Sequence, residues 1–224
     1  MIHYDFIEIG TCYFGTIIEG CDTNAVGLSI EPIAEYLQQL PNKPKVIKLN
    51  AAVVAPNDVP PEGKINLYHV PLETIRKHNL DNNLAGCNTV CKPHIFHTHY
   101  TSPISLWHET SDKSTLKTRN ILEEGLVTVS RVDCITYEEI MSTFQVGKVD
   151  FLKIDTEGYD SILLGSILDY YENRKEYLPD KIQFETNCHT PRDQIMHVFE
   201  RLGKFNYHVP HSPVTDDTIA IRKQ

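Results

Sequence analysis

Apolar and polar positions along the chain switch repeatedly between a period of two residues and a period near 3.6, and each switch marks a change from strand to helix. A first strand is predicted over 5–9 and a second over 26–30, which ends at Glu31-Pro32. Proline just inside a helix start, with Ile33, Leu37 and Leu40 at helical spacing, predicts a short helix that Pro41 and Pro44 close. A third strand is expected over 45–54, a further strand over 65–70, and one or two helical turns over 72–78. Order then loosens. Residues 79–117 are rich in Asn, His, Thr, Ser and Pro, and so long a stretch inside a compact domain is either functional or poorly ordered. We read it as an insertion, spanning about 72–118, that folds over the site.

Beyond the insertion come a strand over 126–132 and a helix opened by the capping-box pair Thr136 and Glu139. A strand over 149–154 follows, then a helix reaching about Lys175 and a strand over 181–185. A helix runs from Thr190-Pro191 to near Gly203, and two closing strands occupy 205–209 and 218–222. Strands alternating with helices predict an α/β fold with a parallel, doubly wound sheet, in a single domain over 1–224 without repeat or linker.

Two strand ends carry chemistry. The run VDFLKIDTEGYDSILLGS, residues 149–166, is apolar as far as Ile154, then turns acidic at Asp155 and Glu157, and is released at Gly158 into a helical pattern. The first strand does the same, ending in Glu8, Gly10 and a turn. Open α/β sheets bind ligands in the crevice beyond such carboxyl ends.

Composition narrows the partners. With 224 residues, 41% apolar and 23% charged, the chain is long enough to bury a core without staples. A formal charge of −9 repels phosphate backbones, which excludes nucleic acid and anionic membrane surfaces as main partners. No apolar run reaches membrane-span length, and strand pattern from residue 4 onward is not that of a secretory leader. Six cysteines, at 12, 21, 87, 91, 134 and 188, are sparse for a disulfide framework. Reduced, mostly buried thiols and a cytoplasmic protein are expected.

The first strand end discriminates between cofactors. A dinucleotide fingerprint needs a middle glycine so that backbone can approach a pyrophosphate, whereas Gly10-Thr-Cys-Tyr-Phe-Gly15 has Cys12 there. S-adenosylmethionine has no phosphate and needs one close glycine. Glu31, at the end of the second strand, offers a carboxylate to both ribose hydroxyls, and Ala51 and Ala52 leave room for a flat adenine. A nicotinamide-dependent dehydrogenase is the reading that Cys12 weakens.

The segments FIEIGTCYFGT, LSIEP, IKLNAAV, VDCITYEEI and VDFLKIDTEGYDSILLGS, in that order, resemble the FkbM family of S-adenosylmethionine-dependent methyltransferases. The resemblance covers 4–55 and 126–222. It implies a class I methyltransferase, Rossmann-like sheet of seven strands with an antiparallel C-terminal strand, and methyl transfer to oxygen, often on a sugar or natural product. It also implies that Glu8, Gly10, Thr11 and Cys12 form the first cofactor loop, with Glu31-Pro32 at the ribose and Asn50 with Ala51 at the adenine. Two departures stand out. The family's usual last loop glycine falls at Phe14, beside Gly15, and the usual helix before the first strand is absent, so that one wall of the site is expected to be missing or supplied by a partner, a second copy of the chain included.

For the reaction, Asp155 is the leading base, with an ion pair to Lys153 or a helix cap as its purely structural alternative. Glu157 orders the loop and, with Glu185 and Asn187, lines the acceptor pocket. His94 in the insertion is the alternative base. Cys87, Cys91, His94, His97 and His99 are metal-ligand types, but the C-x3-C spacing lacks a second pair. We read them as a solvated or substrate-facing loop rather than a metal centre; Tyr100 and Trp107 there offer stacking faces for a sugar. The acceptor is expected to be a small molecule or glycan. A binding or scaffold protein that keeps the fold without catalysis is the competing reading, and a zinc-stabilised interaction domain the third.

Overall fold

The computed structural model describes residues 1–91, 99–100, 118–119, 121–186, 189–209 and 217–223. His94, His97, Trp107 and Asn187 lie outside the described residues. Along the chain come β1 (Ile2–Ile9), α1 (Ile17–Gly20), β2 (Gly27–Ile30), α2 (Ala34–Gln39), β3 (Val46–Leu49) and β4 (Ala52–Val54). Next are β5 (Lys64–His69), α3 (Leu72–Lys77), β6 (His99–Tyr100), β7 (Thr118–Arg119) and β8 (Thr128–Thr136). The order closes with α4 (Tyr137–Thr143), β9 (Val146–Ile154), α5 (Asp160–Tyr171), β10 (Lys181–Glu185), α6 (Arg192–Lys204), β11 (Tyr207–His208) and β12 (Asp217–Arg222).

The chain divides into two compact units, Met1–Ile65 with Val132–Gln224, and Asn66–Arg131. In the first, seven strands form one sheet in the order β3-β2-β1-β9-β10-β12-β11. All run parallel except β12, which is antiparallel to both its neighbours. The chain winds outward from β1 to β3 and returns to β9 on the other flank of β1, so the winding reverses between β1 and β9. That is where open α/β sheets open a crevice for ligands. The sheet is therefore the mostly parallel, Rossmann-like one expected, its antiparallel strand slotted inside the edge.

Alternation puts Ile7, Ile9, Leu152, Ile154, Ile182 and Phe184 on one buried face, where Phe184 meets Phe199 of α6 edge to face. On the other face Phe6 packs with Ile18, Ala25, Leu37 and Leu40 under α1 and α2. Tyr137 of α4 and Tyr171 of α5 join through their hydroxyls at 2.8 Å. The second unit holds α3, the β6–β7 pair and a turn in which Tyr68 and Thr89 exchange backbone hydrogen bonds. No helix among the described residues is long and apolar enough to cross a membrane.

Several boundaries differ from expectation. The third strand is two: β3 belongs to the large sheet, whereas β4 pairs in parallel with Cys134–Thr136 of β8. The break falls at Asn50, whose side-chain amide donates to the Glu31 carbonyl at 2.8 Å. The strand expected over 126–132 runs instead over 128–136, because a turn closed by Leu126 N–H to Ile121 O precedes it. The helix expected to reach Lys175 ends at Tyr171 and is followed by a separate turn over Lys175–Tyr177. α1 has no counterpart in the expected pattern; Thr16 and Glu19 open it as a capping box. Cys12, Cys21, Cys87, Cys91 and Cys134 are half-buried rather than enclosed.

Candidate functional site

Register aligns the strand ends. Ile9 sits opposite both Ile30 and Ile154, Ile30 opposite Leu49, and Ile154 opposite Phe184. The next residues, Gly10, Glu31, Asn50, Asp155 and Glu185, consequently form one edge across five adjacent parallel strands. Backbone hydrogen bonds continue one step past the sheet: Gly10 donates to Ile30 O at 2.9 Å, Glu31 to Leu49 O at 3.1 Å and Asp155 to Ile9 O at 2.9 Å.

Gly10 lies hard against β9. Its φ is +79°, and a Cβ there would stand 1.8 Å from the Asp155 carbonyl oxygen. Only glycine fits that approach. The loop stays left-handed at Cys12, φ 50°, and at Gly15, φ 68°, so the shifted glycine beside Phe14 is used in the turn. Glu31, 2% exposed, reaches into this loop: its Oε2 accepts from Cys12 N–H and its Oε1 from Ile33 N–H, both at 2.8 Å. Burial pushes the Glu31 carboxyl up to about 7, against the backbone donors of Ile33 and Cys12 that lower it. Thr11 is buried and donates to Cys12 O at 3.0 Å. Pro32 is half-buried and Ala51 buried at the ends of the neighbouring strands. Gly10, Thr11, Cys12, Glu31, Pro32, Asn50 and Ala51 are thus brought to one stretch of the edge. Burial pushes the Cys12 thiol up to about 12, leaving it neutral and no nucleophile.

Glu8 belongs to the support of that loop. Fully buried, it accepts the Ile17 N–H with both oxygens, at 3.1 and 3.0 Å, and pairs with Lys153 Nζ at 3.2 Å. Lys153 also stands 3.5 Å from Asp155 Oδ2, so it bridges the acids ending β1 and β9. The pairing expected as the structural alternative for Asp155 is present, and it leaves the Asp155 side chain 38% exposed.

Around Asp155 the edge is crowded with acids. Oxygens of Asp155, Glu157 and Glu185 lie within 4.8 Å of one another, a donor set that a hard divalent cation accepts. Glu157 takes a left-handed φ of 52°, strain of the kind that persists at working sites. Burial first, then neighbouring carboxylates, pushes Glu157 up to about 8 and Glu185 up to about 10. Asp155 is raised too, by burial, but the Lys153 ammonium opposes the rise. It is therefore the acid of the three whose ionised form a neighbouring ammonium favours.

Asp160 was not singled out by its sequence. It is wholly buried at the start of α5 and accepts from Thr156 N–H and Oγ1 and from Glu185 N–H, at 3.0–3.3 Å. One carboxylate thus ties the turn after β9 to the end of β10. Tyr159 beside it donates to Asp58 and accepts from Ala55 N–H at 3.0 Å. An acid in a helix's first turn is the only local trace of Asp160, and it reads as a response to the helix dipole.

Burial, followed by the Asp155 charge, pushes Asp160 up to about 7. Unfolding returns it to the ordinary range of about 4. The folded state therefore binds the proton more tightly, a stabilisation complete below about pH 4 and lost as pH rises through the folded value. Glu31, Glu157 and Glu185 act with the same sign. The melting temperature is expected to fall between mildly acidic and mildly alkaline buffer, and Asp160→Asn to flatten that fall. Scanning calorimetry at both ends reads it; identical slopes in the two proteins count against the assignment.

The acid-and-glycine turn after β1 and the acidic end of β9 fall inside residues 8–207, which match the Methyltransferase FkbM domain. The chain belongs to the FkbM methyltransferase family. No curated protein and no solved structure matches the chain at a significant level. Within this FkbM domain the matched span includes both acidic strand ends and the crevice between β1 and β9.

Proposed function

We propose that this FkbM methyltransferase moves the methyl group of S-adenosylmethionine to a hydroxyl oxygen of a sugar, glycan or small natural product. The observation that carries the reading is the charge and commitment of the edge. Glu31, Asp155, Glu157 and Glu185 line it, and the Cys12 N–H that would face a pyrophosphate is already bonded to Glu31. Such an edge turns carboxyl oxygens rather than cations toward a ligand, which suits a sulfonium better than a phosphate. Glu31 keeps acceptor capacity beyond its backbone donors for a ribose hydroxyl, Gly10 supplies a side-chain-free approach, and Asn50 with Ala51 flanks the adenine position.

S-adenosylmethionine, when bound, supplies an electrophilic methyl carbon on a sulfonium. The chain's own part is to align the acceptor and take its proton. Alignment beside the crevice supplies a large share of the barrier reduction. Asp155 accepts the hydroxyl proton at its carboxylate, because Lys153 favours its ionised form and its side chain reaches solvent. Glu157 and Glu185, protonated near neutrality, donate hydrogen bonds to acceptor oxygens. Transfer of labelled methyl to a panel of sugars and phenolic natural products tests this. Label on an acceptor oxygen supports it; cofactor binding with no transfer to any hydroxyl, or transfer to nitrogen alone, counts against it.

A further inference from the structure

Among the described side chains Phe14 is the one Phe, Tyr or Trp that is exposed, at 45%. It stands in the loop between β1 and α1, which Gly10 anchors against β9 and whose Cys12 N–H is held by Glu31. The loop turns at the left-handed Cys12 and Gly15, on either side of Phe14. The exposed ring is braced. It meets Tyr13 edge-on, with centroids 5.0 Å apart and planes at 87°. Tyr13 in turn leans on Tyr36, with centroids 5.1 Å apart. Tyr36 lies in α2 and is 1% exposed; burial raises its phenol, and the nearby Cys12 and Glu31 groups add to the rise. Three rings thus form a file that starts in the core beside Glu31 and ends in solvent at Phe14.

We infer that Phe14 is a platform on which the adenine of S-adenosylmethionine stacks. The inference rests on the S-adenosylmethionine reading of the edge and adds a residue to it. A ring braced by two others loses little freedom when a ligand covers it, so it costs less to order than a mobile side chain. Position selects the adenosine half over the acceptor. The file leans on α2, the helix that follows β2, and so lies on the Glu31 side of β1. Asp155, Glu157 and Glu185, assigned to the acceptor, stand at the ends of β9 and β10 on the other side. Adenine is the cofactor's one flat aromatic part, and it is joined directly to the ribose that Glu31 would hold. A base and a phenyl ring stack favourably whatever the base's hydrogen-bonding edge meets.

Isothermal titration of the whole chain with S-adenosylmethionine, and with methylthioadenosine, which keeps the adenosine and lacks the amino-acid tail, tests it. Phe14→Ala is expected to weaken both ligands by the same factor, about 5- to 150-fold, the range of base–aromatic stacking. Phe14→Trp is expected to bind both about as tightly as the unaltered chain, and Phe14→Leu to bind both more weakly. Melting temperatures should move little, because the side chain is exposed. Equal affinities in Phe14→Ala and the unaltered chain overturn the inference and leave the cofactor reading standing. So does a leucine variant that binds as tightly as the unaltered chain. A loss confined to S-adenosylmethionine also overturns it, because it places Phe14 at the amino-acid tail. No binding of either ligand by the unaltered chain overturns both readings together.

Discussion

Replacing Gly10 by alanine is expected to cost more than about 3 kcal/mol of stability and to disassemble the edge on which the site is built. The added Cβ would lie 1.8 Å from the Asp155 carbonyl oxygen and 2.8 Å from its carbon, both backbone atoms that no rotamer change moves aside. A left-handed φ adds a conformational penalty of about 1 kcal/mol. Relief requires β1 and β9 to part at their ends, which breaks the Asp155 N–H to Ile9 bond and shifts the carboxylate proposed as the base. Gly15 is the control. It shares a positive φ, yet a Cβ there meets nothing within 4 Å, so Gly15→Ala should show the conformational penalty alone. Urea unfolding of both variants reads the difference. Equal midpoints would mean that the two strand ends are not in contact.

Asp155→Asn is expected to lower the methyl-transfer rate by about 10²–10⁴, the usual contribution of a positioned base, with cofactor affinity changed only a few-fold. The substitution keeps the shape of the side chain and removes its charge. Lys153 retains Glu8 as a partner, so the fold should tolerate the change. Single-turnover kinetics separates this from a binding defect. An unchanged rate would assign the proton to another group, and a biological activity unaffected by the variant would favour a scaffold that keeps the fold without catalysis.

Much of the site was legible because strand ends announce themselves locally. β9 stops being apolar at Asp155 and β1 at Gly10, and both turns are where residue alternation places them. Glu31 was legible by its place at the end of the second strand, and it does reach the first loop. What escaped the sequence is tertiary. The run 45–54 looks like one strand, and only the long-range bond from Asn50 to Glu31 shows why it is two. Glu8 was expected in the cofactor loop, yet its oxygens are spent on Ile17 and Lys153. α1 is too short to show a period, although Thr16 and Glu19 carry its capping signal. Asp160 matters through Glu185, a neighbour 25 residues away.

The central claim is that a sulfonium cofactor rests across the ends of β1 and β2 with its sugar on Glu31. Isothermal titration of the purified chain with S-adenosylmethionine, run beside Glu31→Gln, tests it most directly. The account predicts one site per chain, weakened at least tenfold in the variant, since a hydrogen bond to a charged acceptor is worth about 1.5–3 kcal/mol. No binding by the unaltered protein at millimolar cofactor, or equal binding by both proteins, would contradict it.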